Sequence, residues 1–570
     1  MSAKDSQATR LVKLVERDFR IGCTADGESF VRRDDSPITL PLRGSRGVRS
    51  LLAKTYAREH GAAPSQQALA DALLVIEGIA REQAVRELNL RVAGVGQERY
   101  LDLGDPSGRV VKLTPDGWSV ATDCPHLFRR SPLISAFPSP ARPGSLEPLQ
   151  ELLGVRDEAW QLVRAYLVSL LLGDIPHPIL AIRGLQGSGK TTRARFIAQT
   201  IDPSPAPIRT APRDLEQFAV QASGSWVVVF DNVSTLSEPL SDALCRAVTG
   251  DGVVKRQLYT DSDVMVLAYR RCVILTSIDA GDLRGDLADR LLLLELDEIP
   301  SSQRRLEAQL QEKFTNEWSV ILGGLLDLTC AVLGAMRRVA RFDYPRMADF
   351  ARVVAAVDLV TGGNALELYL GQRERLAEEV VEGDLVAQAI RHLVSNGGGP
   401  SWSGTAKELL WKITPTPAPK DREWPKTARG LSGQLRRTAP ALRQLGVEVD
   451  FARSATVDRA RIVTIRRLDG TESPTVQDRP ISGPTVQENE LEMDGLDGLD
   501  GVAPFSSVGN GRSWTVGDSP FASLQDQRGT REVSESTVQT VQEGSELPSD
   551  DYLAAILIEG PPTDIEEDLA

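Results

Sequence analysis

The stretch from Ile179 to Thr192, ILAIRGLQGSGKTT, leaves this chain few folds to choose from. A short apolar run of strand type is followed by Gly184, four residues, and then Gly189, Lys190 and Thr191, the spacing of a phosphate-cradling loop between a strand and a helix. Glycines at 184, 187 and 189 let backbone N–H groups turn inward around a polyphosphate, where a side chain would block the approach. Ser188 and Thr192 belong to the same cradle. Lys190 would neutralise the β and γ phosphates, and Thr191 would offer its hydroxyl to Mg²⁺. The helix from Lys190 to about Ile201 would point its positive end at the same charge. The plainer alternative is a Gly/Ser-rich turn that happens to precede a lysine; the flanking strand and helix favour a nucleotide such as ATP.

At 570 residues the chain has room for three or four domains. Its net charge of -14 argues at first against nucleic acid. From Thr471 to the end, however, there are 21 acidic and 4 basic residues, so residues 1–470 hold 61 basic against 58 acidic. The acidity belongs to the tail. Five scattered cysteines, Cys23, Cys124, Cys245, Cys272 and Cys330, have no paired spacing and argue against a disulfide framework or a zinc site. Cys124-Pro125-His126 reads as structural rather than ligating. No signal pattern opens the sequence, and the longest apolar run, Ile321 to Met336, is broken by Asp327 and reads as a buried helix. The expectation is a protein of the reducing cytoplasm with no membrane partner.

Residues 1–146 alternate between helical spacing (Val48 to Glu59, Pro64 to Gln83) and short strand-like pieces (Leu88 to Val95, Arg109 to Leu113, Trp118 to Ala121), an α+β domain without a phosphate, metal or nucleophile signature. Arg129 and Arg130 read as a solvated face. After a proline-rich joint, residues 147–300 carry the phosphate loop and then Trp226 to Asn232, WVVVFDN. An apolar run that ends in an acid is what a buried parallel strand looks like where its C-terminal end reaches a site. Roughly forty residues beyond the loop, Asp231 is placed to hold Mg²⁺, directly or through water. A helix from Glu238 to Val248, a hairpin around residues 259–263, and strands Cys272 to Thr276 and Leu291 to Leu296 follow.

The order of phosphate loop, WVVVFDN strand, the segment TGDGVVKRQLY, a polar strand end and the late triplet Ala288-Asp289-Arg290 resembles superfamily 3 helicases. The nearer resemblance is to the phage and plasmid primase-helicase branch, ATPases of the wider AAA+ type, over roughly Leu149 to Pro300. The resemblance implies an ATPase that assembles into a hexameric ring and grips DNA with a hairpin in its channel. It makes Lys255 and Arg256 the candidates on that hairpin. Arg290 would be the finger that reaches a neighbouring subunit's γ phosphate, a use suited to a delocalised cation; a salt bridge to Asp286 or Asp289 is its alternative. Three departures stand out. Asn232 replaces the second acid that activates water; it can orient a water but cannot take its proton, so the expectation is either slow hydrolysis or the use of another carboxylate such as Asp251. Thr276 and Ser277 stand where an asparagine often senses the γ phosphate. Asp261 and Asp263 make the hairpin tip acidic.

Residues 301–382 are strongly helical and read as a lid. Residues 383–470 offer helices Asp384 to Val394, Thr405 to Ile413 and Thr427 to Thr438 and strands Val447 to Phe451 and Arg461 to Arg466, which resembles a winged helix. From Arg391 to Arg467 there are 15 basic and 6 acidic residues, a phosphate-contacting footprint. Lys426, Arg429, Arg436 and Arg437 lie on or beside the third helix, and Arg453 and Arg459 flank the wing turn. A protein-binding module is the alternative. Residues 471–570, with recurring TVQ and MDGLDGLDG, read as a disordered acidic tail whose end could dock a replication protein. The expected architecture is α/β, a P-loop AAA+-like core with an α+β domain before it and a lid and winged helix after it. The expected function is that of an ATP-driven, helicase-like DNA motor, or else an ATP-switched DNA-binding regulator or loader.

Overall fold

The computed structural model describes residues 5–44, 47–94, 96–233, 236–250, 253–256, 264–267, 270–277, 285–342, 344–395, 400–415, 424–453 and 461–468, with 253–256, 264–267 and 285 as backbone only. The tail, the hairpin tip with Asp261 and Asp263, and also Asp251 and Arg459 lie outside the described residues.

The chain opens with α1 (Gln7–Asp18), β1 (Arg20–Cys23), β2 (Ser29–Arg32), β3 (Ile38–Pro41), α2 (Val48–His60) and α3 (Gln66–Arg81). Then come β4 (Leu88–Asn89), β5 (Val92–Ala93), β6 (Arg99–Asp102), β7 (Val110–Thr114), β8 (Gly117–Ala121) and β9 (Leu127–Arg129). They form two sheets, β1-β2-β3-β9-β4 and β5-β6-β7-β8. The single strand expected over 88–95 is split at Leu90 and Arg91, because Arg91 turns inward. Its guanidinium is fully buried, donates to Asp202 Oδ1 at 2.9 Å, and also reaches the carbonyls of Asp102, Ser135 and Pro203. Arg130 is not a solvated residue either: it holds the fully buried Asp102 carboxylate at 2.6 and 3.0 Å. A buried carboxylate needs such a partner.

Next come α4 (Glu147–Leu153), α5 (Asp157–Leu170), β10 (Ile179–Gly184), α6 (Lys190–Ile201), β11 (Ile208–Thr210), α7 (Leu215–Ser223), β12 (Val227–Asp231) and α8 (Glu238–Thr249). They are followed by β13 (Val253–Arg256), β14 (Val264–Leu267), β15 (Cys272–Thr276), α9 (Gly285–Ala288) and β16 (Leu291–Leu296). Five strands make a parallel sheet in the order β11-β12-β15-β10-β16. Its strands are near-continuous Val, Ile and Leu because helices cover both faces. The strand that feeds the glycine loop, β10, is therefore separated from the Asp231 strand by β15. β13 and β14 pair antiparallel as a separate ribbon.

Long helices α10 (Glu307–Ala335), α11 (Ala348–Thr361) and α12 (Ala365–Gly383) close the back of the sheet. By length and composition α10 is apolar enough to cross a membrane, yet Phe314, Ile321, Leu322, Leu325 and Leu326 are fully buried in the protein core. Each such side chain contributes about 1.5–3 kcal/mol. Asp327, which breaks its apolar run, accepts Trp118 Nε1 at 2.8 Å. Gly144 packs against Gly323 and Gly324, where a Cβ on Gly144 would lie 2.0 Å from a backbone nitrogen of α10.

The last elements are α13 (Leu385–Ser395), β17 (Ser401–Thr405), α14 (Ala406–Ile413), α15 (Ala428–Gln444), β18 (Val447–Arg453) and β19 (Arg461–Arg467), with an antiparallel sheet β17-β19-β18. β17 lies where only a loop is expected. Thr405 ends it and opens α14 through a capping box with Glu408. α15 runs past Thr438 and through Pro440, its last turn held by buried Ala441 and Leu442.

Candidate functional site

Because the strands of the five-stranded sheet are parallel, their C-terminal ends meet along one edge, where loops can converge on a ligand. The glycine loop leaves β10 there. Gly189 caps α6 in the left-handed region (φ 71°), and a Cβ on it would fall 2.5 Å from Arg193 Nη1, so only glycine suits the position. Lys190 Nζ donates to the carbonyls of Gly184 and Leu185 at 2.8 and 3.0 Å and so lies over the loop. Ser188 Oγ is buried and has no partner among the described residues.

Opposite the loop, Asp231 at the end of β12 accepts from two hydroxyls. Thr191 Oγ1 is 2.9 Å from Oδ1 and Thr276 Oγ1 is 2.5 Å from the same atom. Thr276 can do this because β15 lies between β10 and β12. It also accepts the Asn232 amide at 2.9 Å, so one threonine fixes both the carboxylate and the turn after it. Among the described residues, Asn232 (φ 56°) and Ser277 (φ 63°) are the non-glycine residues with positive φ, and they follow β12 and β15 side by side. Left-handed backbone costs roughly 1–2 kcal/mol per residue, and strain of this kind collects at functional sites. Asn232 itself is exposed and Thr192 half-buried.

Two arginines that motif reading missed complete the loop's surroundings. Arg193, 9% exposed, braces it from behind, donating to Ser188 O at 2.6 Å and to Leu153 O. Arg304, just after β16, reaches over its front: a Cβ on Gly187 would lie 3.3 Å from Arg304 Nη2. The only sequence hint of Arg193 is its place one turn into α6. Arg304 carries none, since it comes from a segment more than a hundred residues downstream.

Arg290 is placed differently from its expected use. It precedes β16, at the sheet edge away from the glycine loop, and its side chain is 9% exposed. Nη1 donates to the Asp286 carbonyl at 2.6 Å, and Nε is buried with no partner among the described residues. Among the described residues no ion pair joins it to Asp289. Asp289 is taken by Arg373 and by Gln444 at the end of α15, each at 2.5 Å. Lys255 and Arg256 lie on β13, opposite Met265 and Val264. Lys426, Arg429, Arg436 and Arg437 are all exposed. All five cysteines are free, and burial pushes the Cys245 thiol up to about 12 and those of Cys124 and Cys330 to about 11. Among the described residues no group of three or more His, Cys, Asp and Glu could hold a metal.

Fold and site together define a mixed α/β protein with a glycine-lined strand-to-helix junction, an acid braced by hydroxyls beside it, and a separate basic helical surface. Residues 151–379 match the family model described as actinomycete integrative conjugative element replication protein, and residues 386–477 match the model of the RepA C-terminal domain of the same elements. Over these two regions, together more than half of the chain, it is a replication protein of that mobile-element family. Among solved structures it is similar to the apo structure of the NrS-1 C terminal region, with 12% identity and a TM-score of 0.36, covering 82% of this chain and 100% of that one. It is also similar to the A form apo structure of that region, with 11% identity and a TM-score of 0.35, covering 80% and 98%. No curated protein matches the sequence.

Proposed function

We propose that this replication protein is an ATP-driven, helicase-like DNA motor with a P-loop core of the AAA+ type, working as a hexameric ring and docking on DNA through a winged helix formed by residues 383–470. The observation that carries the reading is the Asp231 carboxylate held by Thr191 and Thr276 beside a glycine loop whose Ser188 hydroxyl is buried with no partner among the described residues. An orphaned buried hydroxyl is costly, and a phosphate oxygen would satisfy it. ATP with Mg²⁺ suits this donor set: glycines 184, 187 and 189, Ser188, Lys190 and Thr192 for the phosphates, Thr191 and Asp231 for the metal, and Thr276 to sense the γ phosphate. When bound, Mg²⁺ offsets phosphate charge. Lys190 would exchange its two loop carbonyls for phosphate oxygens, and Arg304 would add a second cation from the front. On the DNA side, Lys255 and Arg256 would line the channel, and Lys426, Arg429, Arg436 and Arg437 would contact duplex. Gln444 bonds the residue next to Arg290, so the basic helix is tied to the candidate finger, which must swing out to reach a neighbour.

Turnover of ATP with and without single-stranded DNA, for wild type and Lys190→Ala, tests the reading. DNA-stimulated turnover that disappears in the variant is expected; equal behaviour of the two proteins refutes it. Asn232 favours a second reading, an ATP-switched regulator or loader, since an amide orients water but takes no proton. A strand-displacement assay separates the two: turnover without unwinding selects the second.

A further inference from the structure

The two faces of the β18–β19 ribbon treat charge in opposite ways. Residues two apart share a face, so Val447, Val449 and Phe451 with Val463 and Ile465 form the inner face, packed under α15. The pattern predicts further apolar residues at the open end of that face. Arg453 and Arg461 stand there instead, directly opposite one another. Like charges so placed repel. On the outer face the ribbon balances its charge: Arg466 is paired with Glu448 at 2.7 Å and Asp450 at 3.0 Å.

The inner-face arginines open onto a groove of about 520 Å³, whose far wall is Arg429, Ser432, Gly433 and Arg436 of α15. Among the described residues no carboxylate lines it, and none of its four arginines has an ion pair. Arg436 lies with its guanidinium carbon 4.1 Å from the Phe451 ring centre. Stacking of this kind engages the flat face of the cation and leaves its in-plane N–H donors for an anion. The same contact covers the ring, so Phe451 is no free platform for a base.

We propose that this groove is a phosphodiester clamp, in which Arg429, Arg436, Arg453 and Arg461 hold the sugar-phosphate backbone of a DNA strand between α15 and the ribbon without reading its sequence. The repulsion between Arg453 and Arg461 is relieved when a phosphate enters. The inference rests on the DNA-binding half of the proposed function and assigns to phosphate two residues outside the third helix.

The test measures binding of full-length protein to two duplexes of unrelated sequence across a salt series. Each lost phosphate contact lowers the slope of log affinity against log salt by about 0.9. The double variant Arg453→Gln/Arg461→Gln is expected to weaken both duplexes equally and to reduce the slope by about 1.8. Arg436→Gln, on a different element, is expected to reduce it by about half as much, and the Arg453→Lys/Arg461→Lys variant to keep most of it. The melting temperature of the glutamine variant should not fall, because a repulsive pair is removed. An unchanged slope in the glutamine variants overturns the clamp, as does a loss confined to one of the two sequences. A wild type that binds neither duplex instead refutes the DNA-binding reading on which the clamp rests.

Discussion

The glycine-loop edge of the parallel sheet and the outer side of α15 both collect charge, and they handle it in opposite ways. At the sheet edge the charged groups are held in place: Lys190 rests on two carbonyls, and Asp231 accepts two hydroxyls through Oδ1. Around α15 the arginines of the groove have no acidic partner among the described residues. A site that positions a reacting phosphate within tenths of an ångström needs its groups held before the ligand arrives. A surface that follows a long polyanion is better left with free cations, because its affinity comes from displaced counterions.

That contrast can be broken at either end. Lys190→Ala should have the largest effect, lowering ATP turnover by roughly 10³-fold, while DNA affinity measured without nucleotide is retained; a parallel loss of DNA binding would mean that the two regions are not separable. Next is the framework beneath the sheet. Asp202 receives Arg91 and, through its other oxygen, the amides of Trp226 and Val227 at the start of β12. Arg91→Leu leaves that carboxylate buried and uncompensated and should destabilise by about 3 kcal/mol, read by denaturant unfolding. Thr276→Val keeps the shape but removes the hydroxyl behind Asp231. Such outer-shell losses cost roughly 10–100-fold, so turnover should fall by that factor while Thr276→Ser retains most of it.

A smaller effect is expected with acid. His177 is wholly buried, its ring edge-on to Trp226, and burial lowers its pKa from 6.5 to about 3. The folded state therefore binds fewer protons than the unfolded chain between those values, so stability falls as pH drops below 6.5. Between pH 7 and 5 the loss should be about 2 kcal/mol, and His177→Phe should flatten it. The smallest change sharpens the link between the regions: Gln444→Ala should leave basal turnover and DNA affinity near wild type while reducing the stimulation of one by the other.

Where periodicity and turn chemistry are strong, the sequence was a good guide. α6 spans the residues that the loop motif predicts, and β16 is the strand expected at Leu291 to Leu296. β1 to β3 were missed because four-residue strands carry too few alternations to stand out, and β17 because a Trp-Ser-Gly run pairs only once β19 is beside it. Arg130 looked solvated because its partner, Asp102, lies 28 residues away. The same holds for Arg304 at Gly187 and Gln444 at Asp289.

By itself the sequence determined the glycine turn, the acid at the end of an apolar strand, and the excess of basic residues near the third helix of the C-terminal region, because backbone freedom, burial and charge are local properties. Only the tertiary structure decided that β15 inserts between β10 and β12, so that Thr276 braces Asp231, that Arg290 is folded inward, and that Arg453 and Arg461 face each other across a groove. Those outcomes depend on strand order and register, which are set by how distant apolar faces pack and which no short window of residues contains.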